Sequence, residues 1–134
     1  MNVDTERLMV AERYLDDARY LLAAGRLESA VSRAYYASYQ AMWAAMGKPP
    51  NGGQWRHIGI ISHFVRGYWF EPTHPPPGPG LLEHLRFSLH RLYQFRVDVD
   101  YDLIRINAIS AEECLKTAER TIAEIDQRVQ GANP

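Results

Sequence analysis

Ser29-Ala30-Val31-Ser32-Arg33-Ala34-Tyr35-Tyr36-Ala37-Ser38-Tyr39-Gln40-Ala41-Met42-Trp43 is apolar on almost every side when wound as a helix. A helix of that kind belongs in the interior of a protein. At about 100° per residue it has three faces. Ala30, Ala34, Ala37 and Ala41 make a small, smooth face that lets a neighbouring helix come close. Tyr35, Tyr39, Met42 and Met46 make a bulky one. Ser29, Arg33, Tyr36 and Gln40 make a polar stripe, with Trp43 beside it. A buried Arg33 requires a partner, because an unpaired charge inside a protein costs several kcal/mol.

The flanking sequence predicts helices on both sides. Asp4 is placed to cap a first helix over about residues 5–24, with Leu8, Ala11, Leu15, Ala18 and Leu22 at heptad-like spacing. Gly25-Arg26 is a short turn, so the central helix, about 27–46, returns antiparallel to the first. Gly47-Lys48-Pro49-Pro50-Asn51-Gly52-Gly53 ends it. A third helix is expected over about 54–68, with Trp55, Ile58, Ile61 or Ser62, and Val65 on one side. Residues 71–80 hold five of the eight prolines and read as a stiff, extended surface loop. A fourth helix is expected over about 81–95, with Leu81, Leu85, Leu89 and Leu92 as its core face and Leu82 and Phe95 widening it. Residues 96–102 alternate apolar and polar, and with no strand to pair with they read as an extended connector. Ser110-Ala111-Glu112-Glu113 reads as a capping box for a last helix with Leu115, Ala118, Ile122, Ile125 and Val129 along its stripe. A frayed tail is expected over about 130–134.

These elements give one all-α domain over residues 1–134: an antiparallel four-helix bundle with an additional short helix. Among 134 residues there is one cysteine, Cys114, which excludes an internal disulfide and fits a reducing, cytoplasmic setting. No apolar run is long enough to span a membrane and no secretory signal opens the chain, so no membrane partner is expected. The net charge of −1 excludes a strongly basic nucleic-acid binder. Thirteen arginines stand against Lys48 and Lys116 alone. That bias fits phosphate recognition, but a GC-rich genome is the preferred account, since nothing else in the charge pattern calls for phosphate. The aromatic load, Trp43, Trp55, Trp69, Phe70 and several tyrosines, fits either one aromatic-rich core or a homodimer interface.

Three stretches carry a family resemblance. Arg33-Ala34-Tyr35-Tyr36-Ala37-Ser38-Tyr39-Gln40-Ala41 resembles the signature of small HEPN-domain proteins of the UPF0332-like branch. Trp55 to Val65 resembles that branch's His-containing helix ending in a Phe, and Leu92 to Tyr101 resembles its stretch ending in Asp-Tyr. The resemblance covers residues 5–128. It implies a HEPN four-helix bundle with an added short helix, commonly dimeric. Many such proteins are metal-independent ribonucleases built on an Arg and a His, others are non-catalytic RNA-binding or assembly modules, and many work beside a minimal nucleotidyltransferase as toxin and antitoxin.

On that resemblance Arg33 is the catalytic arginine, but Gln40 stands where the branch has its histidine. An amide cannot shuttle a proton, although it can hold a phosphate or a base. Arg56 and His63 form a second Arg–His pair, seven residues apart and so within about 20° on one helical face. His57 occupies the branch's matching His position and is expected to meet Arg33 or Arg96. Arg33 and Tyr36 also have a purely structural reading, in which a buried Arg33 stacks on an aromatic ring and bonds Gln40. Arg96 is expected to pair with Asp98 or Asp100 and anchor the connector, or with Tyr101 to line a groove for RNA. Tyr101 is also the candidate for nucleotide transfer from the partner enzyme. The binding set is therefore Tyr36, Gln40, His57, Arg96, Asp100 and Tyr101. No metal site is expected, since His57/His63 and His84/His90 lie six apart, and no cofactor is implied. Arg86, His90, Arg91 and Tyr93 give the fourth helix a mildly basic outer side. Cys114 reads as a small buried residue. The expected partners are a second copy of the chain, a minimal nucleotidyltransferase and RNA.

Overall fold

A computed structural model describes residues 1–73 and 78–132. The helices are α1 (Thr5–Ala23), α2 (Leu27–Met46), α3 (His57–Arg66), α4 (Arg86–Asp100) and α5 (Ala108–Ala132), with one 3₁₀ turn, Glu83–Leu85, running into α4. The described residues include no strand. The architecture is an all-helical bundle of four long helices plus the short α3. Helix α2 touches all four others, which is the central position its all-round apolarity requires. No helix among the described residues is long and apolar enough to cross a membrane.

Local chemistry sets the α1–α2 hairpin. The Asp4 carboxylate accepts from the Arg7 N–H at 3.0 Å and caps α1. The Asp4 N–H donates to the Ala44 carbonyl at 2.8 Å and pins the start of α1 to the end of α2. Between them Gly25 takes φ +76°, and its N–H and that of Arg26 close on Leu22 and Leu21. Ala11 and Ala18 of α1 and Ala30, Ala34, Ala37 and Ala41 of α2 are all buried, as are Tyr35, Tyr39 and Met42.

Around α3 and α4 the fold departs from expectation at four points. Helix α3 starts at His57, not Gln54, because Trp55 is held outside the helix: its indole N–H donates to the Gly47 carbonyl at 2.7 Å, and its own carbonyl accepts from Tyr39 at 2.5 Å. The buried face of α3 is Ile60, Ile61, Phe64 and Val65, while Ile58 is exposed. Leu82 rather than Leu81 fills the core, since the chain is not yet helical there. Residues 96–100 are not an extended connector but the last turn of α4. The buried stripe Leu85, Leu89, Leu92 continues through Arg96 to Val99 at four-three spacing, a helical period that outweighs the two-residue alternation.

At the last helix, the Asn107 side chain accepts from the Ser110 N–H at 2.8 Å, so Asn107 caps α5 and Ser110 lies inside it. Cys114 takes the core position beside the half-buried Leu115, and burial pushes its thiol up to about 12. Gln130 to Ala132 are helical rather than frayed. Asn133 and Pro134, and residues 74–77 of the proline-rich loop, lie outside the described residues.

Beyond that loop the chain returns against the end of α3. The Leu82 N–H donates to the Val65 carbonyl at 2.8 Å, and a Cβ on Gly80 would lie 2.7 Å from the Arg66 Cα. Gly80→Ala should therefore cost about 2 kcal/mol by overpacking against backbone. Gly25→Ala, which meets nothing but a left-handed φ, should cost about 1 kcal/mol. Urea denaturation of the two variants checks the order, and a larger loss at Gly25 would contradict the tight approach at Gly80.

Candidate functional site

Helices α2 and α4 bring their polar positions together around Arg96, which is 5% exposed at a core position of α4. Its guanidinium spends its donors on three groups. Nε donates to Asp100 at 3.1 Å, and Nη2 donates to the hydroxyls of Tyr36 at 2.6 Å and Tyr101 at 3.0 Å. The cation also lies 5.2 Å from the Tyr35 and Tyr36 ring centroids and 4.8 Å from that of Tyr101. The second carboxylate oxygen of Asp100 accepts from the Ser32 hydroxyl. Burial works against the charge on Arg96, but the phenols of Tyr36 and Tyr101 outweigh it and its pKa is raised.

Tyr35 links this cluster to a second one. Its hydroxyl hydrogen-bonds Nδ1 of His57, the first residue of α3. The His57 ring sits among the rings of Tyr35, Tyr39 and Tyr93 at centroid distances of 5.4, 5.0 and 5.7 Å. Burial raises the Tyr35 phenol, and burial followed by the charge of Arg96 lowers His57. A phenol that keeps its proton donates to Nδ1, so the neutral imidazole carries its hydrogen on Nε2. His57 thus meets neither Arg33 nor Arg96 directly.

Arg33 is exposed, not buried, and does not bond Gln40. Its guanidinium rests 5.4 Å from the Tyr14 ring centroid and has no carboxylate partner among the described residues. Leu21, Glu28, Ser32, Arg33, Tyr36 and Asp100 line a groove of about 640 Å³. Both of its carboxylates are engaged, Asp100 as above and Glu28 by the Ile106 N–H at 3.2 Å, which leaves Arg33 as the free charge. Gln40 instead accepts from Arg7 Nη1 at 2.6 Å, and the Arg7 guanidinium lies 4.2 Å from the Trp43 centroid. Sequence reasoning missed Arg7. The signal was the hairpin register: a short turn between antiparallel helices sets the first turns of α1 opposite the last turns of α2.

Arg56 and His63 come together in a different groove, with Pro49, Pro50 and Trp55. It shares no lining residue with the first. Arg56 precedes α3, and His63 donates from Nδ1 to the Gly59 carbonyl at 2.9 Å. On the outer side of α4, Arg91 pairs with Glu113 and Arg86 with Glu83, so that side is neutralised. Among the described residues no three His, Cys, Asp or Glu side chains are placed to share a metal ion.

The Arg96 cluster sets a test of its own. Asp100→Ala should cost about 1–2 kcal/mol, less than a fully buried pair because Asp100 is partly solvated. Arg96→Lys should cost more, about 2–3 kcal/mol, since one ammonium cannot satisfy Asp100, Tyr36 and Tyr101 with the geometry of a planar fork. Urea melts of both variants measure this, and a silent Arg96→Lys would show that the fork geometry does not matter.

No curated protein matches the chain at a significant level. The HEPN domain family model matches residues 5–128, which takes in α1 to α4, most of α5 and every residue of the Arg96 and His57 clusters. With that match over nearly the whole chain, and the all-helical bundle it calls for in place, the chain belongs to the HEPN domain family.

Proposed function

We propose that the chain is a HEPN protein of the small UPF0332-like branch and the HEPN half of a pair with a minimal nucleotidyltransferase. As a cytoplasmic homodimer it binds RNA along the groove that Arg33 and Tyr36 line and on the exposed Tyr101 that Arg96 holds, without cutting it there. The observation that carries this reading is the unpaired Arg33 beside two phenol rings seated on a buried cation. Arg33 offers a phosphate contact. The exposed face of Tyr101, held in place by Arg96, offers a stacking surface for a base. Cleavage needs a proton-transfer group within hydrogen-bond reach of the reacting phosphate. Gln40 is not one, and its oxygen is engaged by Arg7. His57 is half-buried, with Nδ1 taken by Tyr35.

A metal-free ribonuclease is the second reading. One observation favours it: Arg56 and His63 line a common groove, where a guanidinium could stabilise phosphate charge and an imidazole could move a proton.

Fluorescence anisotropy with a short single-stranded RNA separates the two. Arg33→Ala should weaken binding about fivefold to tenfold, the worth of one charge-assisted phosphate contact. The RNA should stay intact in EDTA. Unchanged affinity in Arg33→Ala would remove the groove from the interface. Cleavage in EDTA that disappears in His63→Ala would establish the second reading instead. Light scattering at high concentration should report a dimer, and a persistent monomer would remove that part.

A further inference from the structure

We propose that His57 is a proton-operated latch that fastens the first turn of α3 to α2 near neutral pH and releases it in mild acid. Through Tyr35 it also controls how firmly Arg96 is seated, and this last step rests on the reading of the Arg96 groove as the functional one.

The latch follows from what surrounds the ring. From α2 it faces Tyr35 and Tyr39, and from α4 it faces Tyr93 and, at longer range, the Arg96 cation. Among the described residues no hydrogen bond or ion pair joins His57 to a carboxylate. A proton arriving on Nδ1 would therefore meet three penalties at once. The Tyr35 hydroxyl, a donor to Nδ1 in the neutral state, would have to turn its own proton into a wall of aromatic rings. The new charge would share its cage with a like charge and no counter-ion. It would also sit at the first position of a helix, where the dipole disfavours a cation. The protonated ring is better solvated outside, and leaving takes the first turn of α3 with it. The first turn has no side-chain cap at its N-terminus, so its release is opposed by the Trp55 anchors just before it and by the buried Ile60 and Ile61.

The sign is fixed by linkage. A histidine held below its ordinary pKa contributes stability that is present above about pH 6.5 and is lost as pH falls toward the folded-state value. The Arg96 guanidinium lies 5.2 Å from the Tyr35 ring centroid and the Tyr35 hydroxyl bonds His57, so release of His57 loosens one wall of the Arg96 seat.

Native-state hydrogen exchange of the intact protein tests the latch. Between about pH 7.5 and pH 5.5, corrected for intrinsic rates, the amides of Ile60, Ile61 and Phe64 should open several-fold and at most about tenfold more often, while those of Ala118 and Ile122 in α5 stay level. His57→Gln, which does not titrate, should abolish the response. Should His57→Gln fail to fold, His57→Phe fills the same cage without a titrating group and should be equally flat. Loss of protection in α3 and α5 together, or the same pH response in the variant, would overturn the latch. RNA affinity measured over the same range should fall with α3 protection in the wild type and not in the variant. Affinity that stays level while α3 opens would overturn the coupling to Arg96 and leave the latch standing.

Discussion

A buried guanidinium holds this fold to one arrangement. Arg96 occupies a core position in the stripe Leu85, Leu89, Leu92, Arg96, Val99, where every neighbour on the stripe is apolar. A cation there is tolerable only if its donors are matched. The matching groups come from several places: Tyr36 on α2, Asp100 one turn further along α4, and Tyr101 just beyond it. The register of α2 against α4, the extension of α4 to Asp100 and the placement of Tyr101 are therefore one constraint. Ser32 extends it by fixing the second oxygen of Asp100 from α2.

The helical architecture was legible in the sequence because its signals are local. Gly25-Arg26 and the loop at 47–53 bracket α2, and the limits of 27–46 read from them are those observed. Asp4 reads as a cap and is one. The misreadings arose where local and tertiary signals compete. Val97 and Val99 alternate with aspartates and look like a strand, yet the helix continues because it places Arg96 and Asp100 on one face. Ser110 fits a capping box, but Asn107 is reached first and its side chain closes the turn. Trp55 looks like the first core residue of α3, and it is buried, but by anchors from α2 that keep it out of the helix.

The candidate site was legible in part. Helical spacing placed Arg33, Tyr36 and Gln40 on one stripe, and the assumption that the stripe is inward led to a buried Arg33 bonded to Gln40. Periodicity orders residues around an axis but does not say how far from the axis the neighbouring helix sits. In the fold Tyr36 is half-buried, Arg33 opens to solvent, and Gln40 is taken by Arg7, 33 residues earlier on α1 and opposite it in the hairpin. The residue that does need burial partners is Arg96, whose sequence context gave equal support to Asp98 and Asp100. Only the helical extension decides between them.

The four long helices bury one another, and the short α3 adds Ile60, Ile61, Phe64 and Val65 to their core; four directional contacts also hold it and its flanks, the Trp55 indole on Gly47, Tyr39 on the Trp55 carbonyl, Tyr35 on His57, and the backbone of Leu82 on Val65. Of those four contacts only the one at His57 ends in a group that changes charge near neutrality. It is also the one that shares a side chain, Tyr35, with the seat of Arg96. A disturbance at the start of the shortest helix therefore reaches the most tightly constrained charge through a single ring.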